Sequence, residues 1–234
     1  MKIDQQAEFV ALGRGWLPKI PEPMREQVLH CAILREYRDG QPIYYIGDEP
    51  NGIFGVVSGS LSLSIAPSGR GPYLASIAYP GEWVGCASVL HEKPRSQSAA
   101  ARTSTKLLYL SRQSINAIAE RDPRFWRYLA MNVVSERDQM QRSFDDSLIT
   151  IPGIRLAATL LRLAGYAPDT APRTTALEVR VTQNELAQTT GLSRNTVNRV
   201  IGNLAAAGLL KIAYGKIELS NRSGLVSISE AVAE

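Results

Sequence analysis

The C-terminal third of the chain contains two helix-start signals separated by a glycine, and this pattern restricts its fold more than any other. Thr182, followed three residues later by Glu185, forms a capping box and predicts a helix that begins there. Gly191 predicts a turn after that helix, because glycine adopts the positive φ that other residues resist. Ser193 then predicts the cap of a second helix, which Gly208 ends. The stretch therefore predicts a helix-turn-helix.

At about 100° per residue, the second helix has an apolar face and a polar face. The apolar face comprises Val197, Val200, Ile201 and Leu204. The polar face comprises Arg194, Asn195, Asn198 and Arg199. An arginine fork matches the two acceptors of guanine, and an asparagine amide matches the donor and acceptor of adenine. We interpret the polar face as a base-reading surface for the major groove; the alternative is an ordinary solvated face of an amphipathic helix.

Residues that flank these helices are candidates for contacts with phosphates. Thr182, Gln183 and Ser193 lie at helix starts, where hydroxyl, amide and unpaired backbone N–H groups can hold a phosphate. The alternation from Leu209 to Leu219 predicts a two-stranded wing, with Lys216 at its tip and placed to meet a phosphate. The cap, turn, helix and wing occur in succession, and this order favours DNA binding over the solvated-face alternative.

The distribution of charge agrees with a polyanionic partner. The net charge is +4, and residues 150–234 hold 9 Lys/Arg and 6 Asp/Glu, against 17 and 16 in residues 1–149. The positive excess is therefore concentrated in the shorter, C-terminal part. Because the excess is small, we expect the affinity of one copy to be weak and sensitive to salt.

Several classes of protein are excluded by what the sequence lacks. Two cysteines and two histidines provide neither a disulfide framework nor a metal-ligand set, which fits a reducing cytoplasm. No run of 18 apolar residues predicts a membrane span, and the opening MKIDQQAEFV has no apolar signal core, so we expect a cytoplasmic protein. No nucleophile elbow, P-loop or Rossmann fingerprint appears, and we expect no enzymatic activity.

The N-terminal half has the composition of a small antiparallel barrel or roll. From Tyr37 onwards, glycines and prolines separate short runs rich in Tyr, Ile and Val, and residues 53–57 and 60–65 are predicted strands. Residues 100–110 return to a strand pattern and are predicted to close the roll. Before the roll, residues 24–34 are predicted to form one short helix.

A long helix follows the roll. Residues 111–120 predict a short helix capped by Ser111, and Asp122-Pro123 begins a helix of about 25 residues. Apolar residues recur along it at steps of four and seven: Phe125, Leu129, Val133, Met140 and Phe144. We interpret these residues as a self-pairing dimer helix; the alternative is that the helix lies across its own domain. Residues 151–153 break the helix and predict a hinge before another helix over 154–164.

Two motifs make the chain resemble the CRP/FNR family of bacterial transcription regulators. One is the pattern Gly40…Gly47-Asp48-Glu49…Ile53-Phe54…Val57-Ser58-Gly59-Ser60-Leu61, and the other is Leu192-Ser193-Arg194-Asn195-Thr196-Val197-Asn198-Arg199. The resemblance implies an α+β fold with a cyclic-nucleotide-binding-like antiparallel β-roll, a long dimerisation helix and a C-terminal winged helix-turn-helix. The corresponding domains are 1–121, 122–150 and 151–234.

The family resemblance also implies the partners. A homodimer would read an inverted repeat in double-stranded DNA, and a family activator would also contact RNA polymerase. Arg199 matches the arginine that reads guanine in the family. Asn195 departs from the family glutamate, so that adenine becomes the expected base there. The alternative is a small-molecule sensor in which DNA binding is secondary.

The predicted effector pocket departs further from the family. Nucleotide-binding members hold the ribose with a Gly-Glu-Leu run and the phosphate with an Arg-Ser pair. Here Gly85-Cys86-Ala87 lacks the carboxylate, and Arg95-Ser96 competes with Gln97-Ser98 for the second role. We interpret Arg95 as a solvated loop charge and Cys86 as a buried thiol rather than a reactive one.

The effector therefore stays unknown at this point. The missing carboxylate leads us to expect that cyclic AMP is not the signal. Residues 1–30 contain no cysteine, so an iron–sulfur switch is excluded. We expect no cofactor and no metal.

Overall fold

The computed structural model describes residues 15–166, 177–213 and 215–231. The helices are α1 (Glu22–Cys31), α2 (Cys86–His91), α3 (Arg112–Arg121), α4 (Arg124–Leu148), α5 (Pro152–Leu163), α6 (Gln183–Thr190), α7 (Arg194–Ala206) and α8 (Arg222–Ser229). The strands are β1 (Ile33–Tyr37), β2 (Pro42–Tyr44), β3 (Gly52–Ser58), β4 (Leu61–Ile65), β5 (Tyr73–Ala78), β6 (Trp83–Val84), β7 (Ser98–Ala101), β8 (Thr105–Ser111), β9 (Glu178–Val179), β10 (Lys211–Ala213) and β11 (Lys216–Glu218).

The chain divides into two compact units, Met1–Arg137 and Asp138–Glu234, and the boundary falls within α4. The predicted division into a roll, a dimer helix and a DNA-binding domain stays a prediction. No helix among the described residues is long and apolar enough to cross a membrane.

The N-terminal unit contains two four-stranded antiparallel sheets, ordered β1-β8-β3-β6 and β2-β7-β4-β5. Alternate residues of β3 face two different hydrophobic cores. Phe54 and Val56 belong to the core that contains residues of both sheets, whereas Ile53 belongs to a second core shared with α1, α3 and α4. Because β3 is covered on both faces, it reads as a continuous apolar run. The predicted β-roll is confirmed.

A glycine and three aromatic residues fix the packing of the second core. A Cβ atom on Gly55 would lie 2.7 Å from the ring of Trp83, so only glycine leaves room for that ring. The Trp83 ring lies 5.1 Å from that of Trp16, which in turn contacts Phe125 at 5.7 Å, centroid to centroid. The first turn of α4 is thereby anchored to the roll.

This anchoring corrects part of the predicted dimer helix. Phe125 and Leu129 are fully buried in the second core, and Val133 is partly buried against it, so Phe125 and Leu129 are not available to a second copy. Met140 and Phe144 remain exposed. The sequence pattern did not separate the two sets, because both recur at helical spacing. For the first turns of α4, the alternative of packing on its own domain is right.

The predicted boundaries of several N-terminal elements also change. The predicted strand pattern over 100–110 is interrupted, since the chain bends at residues 102–104 between β7 and β8. Thr105 Oγ1 donates to the Thr103 carbonyl at 2.9 Å and holds this bend. The predicted helix over 24–34 is shorter at its C-terminal end, because β1 begins at Ile33. The Ser111 cap of α3 and the 25-residue length of α4 are confirmed.

The C-terminal unit contains α5 to α8 and a small antiparallel sheet ordered β10-β11-β9. A break between α4 and α5 is present as predicted, but it spans residues 149–151 rather than 151–153, because α5 begins at Pro152 rather than at residue 154. Leu156, Leu160, Val197, Ile201 and Leu225 are among the buried residues of its core. The sequence also predicts a Pro/Thr-rich surface loop over 166–176 and a strand over 177–181. Most of that loop lies outside the described residues, and the strand is shortened to β9. Helix α8 was not predicted; its signal is Asn221, whose side chain caps the Gly224 N–H.

Candidate DNA-reading surface and Arg95 cluster

The two helix starts of the C-terminal unit have the predicted geometry. Thr182 Oγ1 accepts from the Glu185 N–H at 3.1 Å, and the Glu185 carboxylate accepts from the Thr182 N–H at 2.8 Å. Gly191 ends α6 with φ at +65°, a conformation that favours glycine. Ser193 Oγ then accepts from the Thr196 N–H at 3.1 Å and caps α7. The capping box, the glycine turn and the second cap are confirmed.

Helix α7 presents the predicted polar residues to solvent. Its buried residues are Val197, Val200, Ile201 and Leu204. Its first exposed residues, which we call the reading face, are Arg194, Asn195, Asn198 and Arg199. The apolar residues fix the rotation of α7 against α5 and α6, so the four polar side chains share one side of the helix. This is the geometry that a base-reading helix requires.

The predicted phosphate-contacting residues differ in the hydrogen bonds that their side chains already make. Gln183 is exposed at the first position of α6. The hydroxyl oxygens of Thr182 and Ser193 accept from backbone N–H groups as caps, although both residues are exposed. Contacts from these residues to phosphate stay predictions.

Lys216 is not placed as predicted. It is the first residue of β11 rather than the tip of the wing, and its Nζ donates to Glu178 Oε2 on β9 at 2.6 Å. Register explains the contact, since β11 pairs with β9 through Glu218 and Glu178. A phosphate contact by Lys216 would therefore compete with an existing ion pair.

Arg155 on α5 was not singled out from the sequence. Its Nε donates to the carbonyl oxygen of Ile149 at 2.6 Å, and its Nη1 donates to that of Thr190 at 3.0 Å. Thr190 ends α6, where a positive charge interacts favourably with the helix dipole. One guanidinium therefore joins the α4–α5 junction to the turn that precedes α7.

In the N-terminal unit, the interpretation of Arg95 as a solvated loop charge is wrong. The residue is 3% exposed. Its backbone N–H donates to Asp48, and its carbonyl accepts from Gly47, each at 2.8 Å. Its guanidinium donates through Nη1 to the Gly85 carbonyl at 2.8 Å and through Nη2 to that of Gly52. One acceptor, Gly52, begins β3 and the other, Gly85, follows β6, so the sequence near Pro94 gave no sign of them.

Several buried or half-buried residues lie near this guanidinium. We define the Arg95 cluster as Tyr44, Gly85, Cys86, Arg95, Asn132 and Glu136. The Arg95 Cζ lies 4.4 Å from the centroid of the Tyr44 ring. Among the described residues, neither the Tyr44 hydroxyl nor Arg95 Nε has a hydrogen-bond partner. Burial raises the pKa of Tyr44 and lowers that of Arg95, which identifies a strongly desolvated site.

Cys86 lies inside this cluster. Its side chain is fully buried, and burial, followed by the nearby Glu136, raises the pKa of the thiol well above its usual value. The expected burial is thus observed, and this burial favours the protonated form of the thiol. Gly85 precedes it with φ at +87°. A Cβ atom at Gly85 would collide with the Arg95 guanidinium.

The other two predicted pocket residues do not join the cluster through their side chains. Ser96 is exposed. Ser98 Oγ accepts from the Ile46 N–H at 3.0 Å and helps to fix the loop after β2. No group of three or more His, Cys, Asp or Glu side chains within residues 15–166, 177–213 and 215–231 is arranged to hold a metal ion.

Two cluster members on α4 were missed. Asn132 is buried and donates through Nδ2 to the Trp83 carbonyl at 3.2 Å and to Glu136 Oε1 at 2.8 Å. Burial raises the pKa of Glu136 to about 7, against the opposing effect of this hydrogen bond. The signal lay in their spacing, since Asn132 and Glu136 continue the three- and four-residue steps from Phe125 and Leu129.

Both units match known families of protein domains. A model of the cyclic nucleotide-binding domain matches residues 34–122, and a model of the Crp-like helix-turn-helix domain matches residues 154–228. The cyclic AMP receptor protein of Thermus thermophilus is 30% identical over 201 residues, which are 85% of this chain and 89% of that protein. The CRP-like cAMP-activated global transcriptional regulator of Mycobacterium tuberculosis is 28% identical over 204 residues, 85% of each chain.

Solved structures show the same architecture. A transcriptional regulator of the CRP/FNR family from Thermus thermophilus superposes with a TM-score of 0.65 at 26% identity, covering 85% of this chain and 99% of that one. FixK2 from Bradyrhizobium japonicum superposes with a TM-score of 0.70 at 21% identity, covering 86% and 99% of the two chains, and supports the fold alone.

Proposed function

The chain belongs to the CRP/FNR family of transcription regulators, and we propose that it acts as a homodimer that binds an inverted repeat in double-stranded DNA through the reading face of α7. The observation that carries this proposal is the rotation of α7. Its apolar residues are buried, while the reading face is exposed directly after the Gly191 turn. Residues of the reading face can therefore meet base edges without any change in the fold of the helix.

The chemistry of the reading face specifies which bases it would contact. Arg199 provides a planar fork of donors, which matches O6 and N7 of guanine. Asn195 provides a donor and an acceptor, which match N6 and N7 of adenine. We propose guanine for Arg199 and adenine for Asn195, so that the half-site differs from one read with a glutamate at that position.

The exposed apolar residues of α4 support self-association. Met140 is 65% exposed and Phe144 is 63% exposed, and Met140 lies seven residues after Val133. Apolar residues at heptad spacing on a long helix favour a paired helix in a second copy. Two copies related by a two-fold axis would place two α7 helices about 34 Å apart, in successive major grooves of an inverted repeat.

The signal that controls the protein is proposed to be something other than cyclic AMP. The relatives named above are cyclic AMP receptors or cAMP-activated regulators. In this chain the Arg95 guanidinium donates to two carbonyl oxygens of its own unit, and a buried thiol stands where the carboxylate is expected. A phosphate that used Arg95 would have to displace those carbonyl oxygens. We expect cyclic AMP at millimolar concentration to leave the thermal midpoint unchanged.

A second function, a small-molecule sensor with secondary DNA binding, is favoured by one observation. The Tyr44 hydroxyl and Arg95 Nε are buried and lack partners among the described residues. Buried unpaired donors are costly, and a ligand that accepts from them would be stabilised. A thermal-shift screen of cyclic nucleotides and small organic acids tests this function. A hit that Tyr44→Phe abolishes would support it.

The wider role depends on partners outside the chain. A regulator that activates transcription would also contact RNA polymerase, and a chromosomal target would place the protein in the bacterial cytoplasm. Both statements follow from the proposed function and stand or fall with it.

Selection from random duplexes is the experiment that tests the main proposal. The full chain would be incubated with a library that contains a random core of about 30 base pairs, and bound duplexes would be amplified and sequenced. We expect an inverted repeat with half-sites about 10 base pairs apart, centre to centre. A selected pool without two-fold symmetry, or without enrichment of any sequence, would contradict the proposal.

A further inference from the structure

Gly202 lies in the interior of α7 and is exposed. It follows Asn198 by four residues and Arg199 by three. At about 100° per residue, it therefore lies between these two side chains around the helix axis, one turn further along. The proposed reading face thus continues into a position that carries no side chain.

Glycine is usually retained in a folded chain for one of two reasons, and neither applies to Gly202. The first is a positive φ, but the φ of Gly202 is not positive. The second is a close approach within the protein, but a Cβ atom built on Gly202 would meet no atom within 4 Å. The other described glycines without a positive φ are Gly52, Gly55, Gly153 and Gly224.

Close contacts within the protein account for most of these other glycines. A Cβ atom on Gly52 would lie 2.3 Å from the carbonyl oxygen of Leu110, and one on Gly224 would lie 2.5 Å from the side chain of Leu209. Gly153 also has open space, but it lies in the first turn of α5 directly after Pro152, where helix propensity matters least. Within the described residues, Gly202 is the mid-helix glycine that the protein's own contacts do not explain.

The absence of a side chain at this position has a cost. Glycine in a helix interior is less favourable than alanine by about 1 kcal/mol, because it loses more conformational freedom on folding. Alanine at position 202 would remove that cost without meeting any other atom of the protein. No contact among the described residues offsets this cost.

We propose that Gly202 allows the main chain of α7 to lie directly against the wall of the DNA major groove, where a side chain would hold the helix away. The inference rests on the proposed function, because its ligand is the same double-stranded DNA. The contact involves the Cα hydrogens and peptide groups of α7 against deoxyribose and base edges, through van der Waals contact and weak C–H···O bonds. Gly202 is therefore a positioning residue: it sets how deeply Asn198 and Arg199 reach.

The experiment compares Gly202→Ala and Gly202→Leu with the unchanged protein, and uses Asn203→Ala as a matched control. Asn203 is the exposed neighbour of Gly202, and alanine raises helix propensity there as well. Thermal midpoints would be measured without DNA, and dissociation constants would be measured on the selected inverted repeat and on a random duplex by fluorescence anisotropy.

We expect opposite effects on stability and on binding. Gly202→Ala should raise the thermal midpoint and still weaken binding to the selected repeat. Gly202→Leu should weaken that binding about tenfold or more, because its side chain is larger. Both variants should bind the random duplex as the unchanged protein does, since a non-specific complex rests mainly on phosphate contacts. Asn203→Ala should raise the midpoint and leave both affinities within about twofold.

Three results would overturn the inference. One is unchanged binding of the repeat by both Gly202 variants. Another is an equal loss in Asn203→Ala, which would trace the effect to a stiffer helix. The third is a lower midpoint in both Gly202 variants, which would mean that the glycine serves the fold. In each case the selected repeat, and with it the proposed function, would stand; failure to select any repeat would remove the proposed function itself.

Discussion

Asn132 donates to the carboxylate of Glu136 at 2.8 Å within α4, and the same amide donates to the carbonyl oxygen of Trp83 in the roll. This pair fixes a carboxylate of the long helix beside the Arg95 cluster. Burial is the largest effect on this carboxylate, and the nearby Glu82 adds to it; together they raise its pKa to about 7. The Asn132 hydrogen bond and Arg95 act in the opposite direction.

The first prediction follows from the raised pKa of Glu136. A carboxyl group whose pKa rises from 4.5 when unfolded to about 7 when folded binds its proton more tightly in the folded state. Its contribution to the free energy of unfolding is therefore complete below about pH 4.5 and falls as the pH rises to about 7, by at most about 1.4 kcal/mol per pH unit.

Glu136→Gln tests this pH dependence, because a glutamine can accept the same hydrogen bond from Asn132 without ever ionising. The free energy of unfolding would be measured by denaturant titration at pH 5, 6, 7 and 8. We expect the variant to gain stability relative to the unchanged protein as the pH rises through this range. A difference that stays constant from pH 5 to pH 8 would show that Glu136 titrates normally.

The second prediction separates the two kinds of apolar residue on α4. Phe144→Asp should abolish the dimer and leave the fold intact, since the side chain is 63% exposed. Leu129→Ala should instead lower the free energy of unfolding by about 2–5 kcal/mol, because Leu129 is fully buried in the second core. Light scattering and denaturant unfolding measure the two effects. A Phe144→Asp protein that is still dimeric would contradict the assignment of Phe144 to the dimer interface.

The third prediction concerns the guanidinium that joins Ile149 to Thr190. Arg155→Ala should destabilise the C-terminal unit by about 1–3 kcal/mol, because two backbone carbonyls lose a charged donor. Arg180→Ala is the control, since its contact with Glu178 is long, at 3.6 Å, and exposed. Equal unfolding midpoints for the two variants would show that the hydrogen bonds of Arg155 do not stabilise the C-terminal unit.

The fourth prediction concerns the ion pair between Lys216 and Glu178. If Lys216 reaches a phosphate when DNA is bound, Lys216→Ala should weaken binding to all sequences alike and reduce the salt slope by about one. Glu178→Gln removes the competing carboxylate and should strengthen binding to all sequences. Both effects would be measured by fluorescence-anisotropy titrations between about 50 and 200 mM salt. A phosphate contact by Lys216 requires that Lys216→Ala weakens DNA binding and that Glu178→Gln strengthens it.

Local signals predicted the C-terminal unit well. Thr182, Gly191 and Ser193 act on neighbouring backbone groups, so their roles can be derived from spacing alone. The rotation of α7 followed from its apolar residues for the same reason. Lys216 was misplaced because its partner, Glu178, lies far away in sequence and meets it only through the pairing of β9 with β11.

The Arg95 cluster could not be predicted in the same way. The carbonyl acceptors of Arg95 belong to Gly52 and Gly85, which only the folding of the roll brings together. A charged residue beside Pro94 is normally solvated, and composition favours that interpretation. The position of Phe125 was ambiguous for a related reason, since helical spacing shows that a residue is on an apolar face but not which surface covers it.

The most direct test of the proposed function compares Arg199→Ala with the unchanged protein on the selected inverted repeat and on a random duplex. The residue is exposed and makes no contribution to the core, so the fold should be unaffected. We predict a loss of about 1–3 kcal/mol in binding to the repeat and little change on random DNA. Equal losses on both duplexes would mean that Arg199 contacts a phosphate, and unchanged binding to both would contradict the assignment of α7 as the reading helix.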